Sequence, residues 1–303
     1  MPTLTLYRQQ SAREAGRYYS DTSNAEAMTT LTLIDTALKS SLSINDQWVD
    51  YQLYIPGAAA ADKKRVVETY TPSTGTLTVD LAWSAVTVPG AAAGGVAYEL
   101  HGMFDVDELH AHINDGLKRC FLVVEITITP TANATRHDIT TANTWLTKLE
   151  WVRQVGWLLS NEVRAETDPY QNRRVAGFAE KIGGTVYLNH AGRSFASNET
   201  IYVKCIKPAY YHCKASAGAF GDQSGLSLET DEAVPSVEWV AAAALMQAAR
   251  RELVNPNPDA KSLWRERMGD WVQIYNKYRQ AEFELPGLTL VRVPRWGTRS
   301  WGR

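Results

Sequence analysis

Long apolar runs are absent from this 303-residue chain: no stretch is long and apolar enough to cross a bilayer, and the first residues lack the basic-then-apolar order of a secretory signal. A membrane partner is therefore not expected, and the protein is expected to be made in the cytoplasm. Cysteine is scarce. Cys120, Cys205 and Cys213 are too few and too unevenly spaced for a disulfide framework or a zinc site, and they read as packing residues of a chain that folds in a reducing compartment. Net charge is almost missing as well, at -2, so no whole-molecule field favours nucleic acid or an anionic surface. Any electrostatic partner must meet a local patch. What the chain does have is apolar content, 45% of residues, enough for a substantial core in one elaborate domain or two ordinary ones.

Catalytic signatures are equally thin. Gly94-Gly95 and Gly183-Gly184 are isolated doublets without a following Lys-Ser/Thr, which reads as turn chemistry rather than a phosphate cradle. No G-x-S-x-G elbow occurs. His110 and His112, two apart on an expected helix, point to different faces and do not share a metal. His212-Cys213, with Cys205 nearby, reads as a packed pair on a tyrosine-rich strand. Asp105, Asp107 and Glu108 cluster, and a helix cap accounts for all three. The expectation is a protein that is not an enzyme and uses no cofactor or metal. A hydrolase whose two carboxylates meet only in space stays open as a further reading.

Along the chain, residues 6–19 read as a surface helix or an unordered segment. Apolar positions Met28, Leu31, Ile34, Leu38 and Leu42 recur at helical spacing and predict a helix over 26–42. Strands are expected at 48–55, 65–71, 76–81 and 96–100, with Pro72-Ser73-Thr74-Gly75 as the hairpin turn. Asp105 and Glu108 form a capping box before a helix striped by Val106, Leu109, Ile113, Leu117 and Cys120. Strand signals dominate from 121 to 228, at 121–129, 150–159, 176–182, 185–188 and 200–207, and suggest an antiparallel sandwich. Two helices follow, 236–253 with an alanine-rich stripe, and one restarted by Asp259 as N-cap and lined by Leu263, Trp264, Met268, Trp271, Val272, Tyr275 and Tyr278. The expected fold is α+β: a helical-bundle core with a small β meander (1–120 and 230–284), an inserted antiparallel β-sandwich (121–229) and a C-terminal arm (285–303).

That arm, LPGLTLVRVPRWGTRSWGR, contains no acidic residue, while Arg292, Arg295, Arg299 and Arg303 alternate with Trp296, Trp301 and a short β-branched run at 288–293. Two prolines and two Trp-Gly pairs interrupt it, so it has no core of its own and wants a partner, or a place to fold back on this molecule.

The run RVVETYTPSTGTLTVDLAW (65–83), then Tyr98-Glu99-Leu100, then DVDELHAHINDGLKR (105–119), resembles a pattern that recurs in tailed-phage neck proteins. The run DEAVPSVEWVAAAALMQAARREL (231–253), followed by an aromatic helix, is similar to the helical core of head-to-tail adaptor (connector) proteins. The combined order covers roughly 26–285. The resemblance implies a structural virion protein of the neck, a homo-oligomeric ring of about a dozen copies that docks beneath the portal and joins capsid to tail or tail-terminator protein. It implies that 285–303 is the portal-binding arm. Leu288, Leu290, Val291, Arg292 and Val293 would add a strand to a partner sheet, Trp296 and Trp301 would anchor it, and Arg295, Arg299 and Arg303 would meet carboxylates or line a passage for duplex DNA without sequence specificity. Trp239, Ala244, Trp264, Trp271 and Tyr275 are the expected subunit-packing residues of the two late helices. The chain departs from smaller members of that family in its large β region, whose role the resemblance leaves open. The alternative is a carbohydrate-binding tail or baseplate component that uses Trp145, Trp151 and Trp157 as a stacking platform.

Overall fold

The computed structural model describes residues 1–23, 29–39, 47–58, 63–84, 95–134, 136–148, 151–159, 178–189, 195–196, 198–253 and 258–283. The first element is helix α1 (Leu4–Ala15), which ends at Gly16, where φ of 85° lets the backbone N–H donate to Ala12 and Arg13 carbonyls. It is not a surface element. Leu4, Tyr7, Arg8, Ser11, Ala12 and Ala15 form a buried face at helical spacing, hidden from a hydrophobicity reading because two of the six are polar.

Six strands follow: β1 (Tyr18–Thr22), β2 (Thr32–Ile34), β3 (Gln52–Tyr54), β4 (Lys64–Thr71), β5 (Thr76–Val79) and β6 (Ala97–His101). They form one sheet in the order β1-β6-β3-β4-β5-β2, antiparallel at every pairing. The sheet curls, because Tyr98 of β6 donates its hydroxyl to Asp35 beyond β2 at 2.6 Å, although four steps of the strand order separate them. Its interior, Leu33, Leu53, Val67, Leu77, Val79, Trp83, Tyr98 and Leu100 among others, is built from this unit alone. The turn between β4 and β5 takes the expected chemistry. Gly75 has φ of 70°, and a Cβ there would stand 2.0 Å from the Asp35 carbonyl oxygen.

The helix expected over 26–42 is corrected. Its described residues form β2 and a 3₁₀ turn, Thr36–Leu38. Within Thr32–Ile34 only Leu33 is fully buried, with its two neighbours half-buried, the alternation of a strand, and Thr29 Oγ1 accepts from the Leu31 and Thr32 amides, a local bond that competes with helix. Residues 24–28 and 40–46 lie outside the described residues.

Helix α2 (Val106–Leu117) carries the reciprocal capping box: Asp105 accepts from the Glu108 amide at 2.7 Å, and Glu108 accepts from the Asp105 amide at 3.2 Å. Gln52 of β3 accepts from the Val106 amide at 2.8 Å, tying the helix to the sheet. Next come β7 (Phe121–Ile128), β8 (Arg136–Asp138), β9 (Val152–Leu159), β10 (Phe178–Ile182), β11 (Thr185–Asn189) and β12 (Glu199–Pro208). They make two antiparallel three-stranded sheets, β10-β11-β8 and β7-β12-β9. Both contribute to one apolar cluster that includes Val155, Val186, Leu188, Ile201, Val203 and Cys205. The β12 strand leaves beside the start of β7: Pro208 pairs with Phe121, and the Ala209 amide donates to the Cys120 carbonyl at 2.8 Å. Ala209, Cys213 and Leu226 then pack with the helices rather than with these sheets.

Helix α3 (Val237–Glu252), capped by the Ser236 hydroxyl, touches α1, α2 and α4 (Pro258–Phe283). Asp259 falls inside α4, which starts at Pro258, a residue suited to the first helical position. The expectation of a helical-bundle core is overturned. Among the described residues three antiparallel sheets and four α-helices make the fold, and two of the four apolar clusters consist of sheet-region residues only. An α+β description remains compatible. The reason is the early segment, where β-branched residues and the burial of Leu33 between Thr32 and Ile34 supply a strand in place of the expected helix.

Small residues let α2 and α3 approach closely. A Cβ on Gly116 would stand 2.9 Å from the Val240 carbonyl and 3.0 Å from the Ala244 amide, both backbone atoms that cannot swing away. Gly116→Ala should therefore destabilise the protein by about 1 to 3 kcal/mol through overpacking, against the gain of up to about 1 kcal/mol that helix propensity alone would give. Urea unfolding decides the sign, and a more stable variant would refute the close approach.

Candidate functional site

The helices and the curled sheet meet at a buried ionic network. Arg8 of α1 is fully buried and lies flat against Glu99 of β6, with Nε to Oε2 at 2.9 Å and Nη2 to Oε1 at 2.8 Å. Its remaining nitrogen, Nη1, donates to Glu229 on the segment before α3. Gln9 and His101 also bond Glu99, at 3.1 and 3.0 Å, and Thr5 and Tyr54 both donate to Glu229. The Arg8 guanidinium sits 4.6 Å from the Tyr54 ring centre. Burial opposes the Arg8 charge, but hydrogen bonds and charge from Glu99 and Glu229 outweigh it and raise its pKa. Burial likewise opposes ionisation of Glu99, and bonds from His101 and Arg8 overcome it and lower its pKa to about 2. His110 of α2 faces Arg8 at 3.3 Å; burial first, then the Arg8 charge, lowers its pKa to about 4.

Sequence reasoning missed this network. The available signals were a glutamate within the apolar strand at 96–100 and an arginine in register with Leu4 and Ala12 on α1. Its chemistry is that of a structural clamp, since Arg8 meets both carboxylates within hydrogen-bond distance and no side of the guanidinium is left for a ligand.

Two exposed apolar patches are better placed to meet another molecule. Leu6 on α1 and Leu228 are 48% and 62% exposed, and the Thr5 amide's bond to the Glu229 carbonyl brings their backbones together. Leu31, Val66 and Leu81, 43%, 42% and 62% exposed, share the corner where Leu31 and Val66 carbonyls accept from Val79 and Asp80. Leu6 and Leu228 lie outside the sheet, on α1 and the segment before α3, whereas Leu31, Val66 and Leu81 belong to its β2–β5–β4 side. A groove of about 340 Å³ between α2, α3 and α4 is lined by Met103, Phe104, Glu108, His112, Arg251 and Trp264.

The expected subunit-packing residues are largely enclosed by the chain itself. Trp239 and Ala244 are fully buried, Trp264 and Trp271 nearly so, and Tyr275 donates its hydroxyl to the Arg119 carbonyl at 2.9 Å. The expected arm residues Leu288, Leu290, Val291, Arg292, Val293, Arg295, Trp296, Arg299, Trp301 and Arg303 lie outside the described residues. Trp145 and Trp151 are stacked at 6.3 Å, but Trp151 is buried and Lys207 covers Trp145, so the pair offers no open sugar face. The Trp157 side chain also lies outside the description. Burial pushes the thiols of Cys205 and Cys213 up to about 12 and about 11, so neither is a thiolate at neutral pH. Among the described residues no group of three or more His, Cys, Asp or Glu is arranged to hold a metal, and no helix is long and apolar enough to cross a membrane. No family model matches the chain, and no curated protein matches it significantly.

The acid response of the clamp is testable. Glu99 keeps its charge in the fold down to about pH 2, while its ordinary value is 4.5, so the unfolded chain binds more protons between these values and stability falls as pH drops through that window. His110, neutral in the fold down to about 4 against an ordinary 6.5, acts in the same direction over its own window. Glu99→Gln should cost about 3 to 5 kcal/mol at neutral pH by leaving Arg8 buried with a broken pair, and should flatten the decline between pH 4.5 and 2. Denaturant titrations across pH, followed by circular dichroism, measure both, and an unchanged acid slope would remove Glu99 from the account.

Proposed function

We propose that this protein is a structural subunit of a tailed-phage neck, a head-to-tail adaptor that forms a homo-oligomeric ring, docks to the portal and connects capsid to tail. One observation carries the reading. Two of the stretches that resemble neck proteins, 105–119 and 231–253, are separated by more than a hundred residues, yet they pack together where Gly116 of α2 abuts Val240 and Ala244 of α3. A resemblance scattered by chance has no reason to converge on one packed unit.

The exposed patches fit the geometry of such an assembly. A cyclic ring needs two different, complementary surfaces on every subunit, because its contacts are head-to-tail. The Leu6/Leu228 patch, on helix α1 and the segment before α3, and the Leu31/Val66/Leu81 patch, on the sheet, are candidates for those two surfaces. Helix α4, 26 residues and about 39 Å long, supplies a stiff base for the arm at 285–303. The arm's β-branched run supports strand addition to the portal, its tryptophans serve as anchors, and its arginines pair with portal carboxylates. On this reading the protein resides in the virion neck, contacts the tail or tail-terminator protein on its other side, and surrounds passing duplex DNA without reading its sequence.

Deleting residues 285–303 should leave the fold intact and abolish co-sedimentation with the portal encoded by the same genome. Electron microscopy of the full chain with that portal should reveal closed rings of about a dozen copies. Leu81→Asp together with Leu228→Asp should give a folded monomer that no longer closes a ring. A truncated chain that binds the portal as tightly as the full one, or a double variant that still assembles, would sink the proposal.

A further inference from the structure

A second groove, of about 210 Å³, runs between α1, the start of α3 and the later turns of α4. Trp271, Ile274, Tyr278 and Ala242 give it an apolar and aromatic floor, with Trp271 and Ala242 almost fully buried and Ile274 and Tyr278 half-buried. Its walls carry two exposed carboxylates, Glu14 in the last turn of α1 and Glu238 in the first turn of α3. Glu14 accepts from Gln10 of its own helix at 3.0 Å. Burial, then the charge of Glu238, raises the Tyr278 pKa, so that carboxylate acts on the ring. Lys277 lines the groove too, its ammonium 5.9 Å from the Tyr278 ring centre, and Arg267, one turn before Trp271, donates to the Ala15 carbonyl. Pockets for small organic ligands usually enclose about 300 to 1,000 Å³, so this groove suits one large side chain of a polypeptide rather than a cofactor.

A segment of matching chemistry follows α4 in the same chain. Residues 285–303 hold four arginines, two tryptophans and no acidic residue. Arg295 and Arg299 flank Trp296, an aromatic anchor with a cation on either side to face Glu14 and Glu238. Reach favours the same molecule. Tyr278 and Trp271 stand five and twelve residues before Phe283, the end of α4, or about 8 and 18 Å along the helix. Trp296 is thirteen residues beyond Phe283, a tether of up to about 43 Å when extended, so the anchor doubles back to the groove with slack. Such a tether holds it at an effective concentration on the order of millimolar, above that of a second copy in dilute solution.

We propose that the groove between α1, α3 and α4 is the seat of the arm of the same chain: Trp296 packs on Trp271, Ile274 and Tyr278, while Arg295 and Arg299 pair with Glu14 and Glu238. The seat needs no portal. Where the arm is also the portal ligand, as in the reading above, seating and docking exclude each other, and the free subunit holds its arm back until the portal competes for it.

The test uses the full chain alone, in dilute solution. The rate of trypsin cleavage after Arg299, mapped by mass spectrometry, reads the fraction of arm that has left the groove. Trp296→Ala should speed this cut by at least about tenfold, and Glu14→Gln combined with Glu238→Gln by about threefold to tenfold, since exposed ion pairs contribute less than a packed anchor. Lys277→Gln, which removes the cation from the groove, should slow it. Each substituted groove residue is exposed, so the variants keep the fold, which circular dichroism verifies. Protection that persists across roughly a hundredfold dilution supports seating within one chain, whereas protection that fades on dilution assigns the groove to a second copy and overturns the proposal. Equal cleavage of the unaltered chain, Trp296→Ala and the double glutamine variant overturns it as well, and portal docking then stands or falls on its own co-sedimentation measurement.

Discussion

A single buried guanidinium constrains the assembly of this protein. Arg8 has no access to water, so its charge must be met by acceptors held in place, and those acceptors come from β6 and from the segment before α3. Desolvating such a group costs several kcal/mol unless all its bonds are made, which leaves little room for partial structures in which α1 docks without the sheet. The planar fork of arginine adds direction to this demand, since Glu99 satisfies it only edge-on and in one register of β6. Once that register is set, the β1–β6 pairing, the Gln52 contact to α2 and the placement of Glu229 follow from geometry.

Features with local causes were legible in the sequence. The β4–β5 hairpin follows from Pro72 and Gly75, the β10–β11 turn from Gly183-Gly184 with both residues at positive φ, and the start of α2 from a three-residue capping signal. The long final helices were legible through their period. What escaped depends on contacts distant in sequence. Arg8 and Glu99 are 91 residues apart, and nothing near Arg8 announces a buried charge. The β2 segment escaped for a different reason: leucines and isoleucine at steps of three and four satisfied a helical pattern, while the threonines that set the backbone were discounted. In the candidate site, the arm at 285–303 was legible as a composition but lies outside the described residues, whereas the exposed leucines became visible only through burial.

The large aromatic inventory now has a divided use. Trp239, Trp264 and Trp271 are spent inside the helical layer, where they fill space beside alanine-rich α3. Trp145 and Trp151 serve the two-sheet region, one of them as the lid of a buried ammonium. Among the described residues the large exposed apolar side chains are mostly aliphatic, consistent with the proposed reading of Leu6, Leu31, Leu81 and Leu228.

The paired exit of β7 and β12 has a further consequence for how the gene can change. Because Cys120 and Ala209 are hydrogen-bonded neighbours, the 88 residues between them begin and end at one spot on the helical frame. The frame is closed at that spot by the same backbone bond whatever lies beyond it. Recombination can therefore lengthen, shorten or exchange the two-sheet region as a cassette, so that this part of the chain is free to diverge at a pace of its own while Arg8, Glu99 and Gly116 stay under constraint.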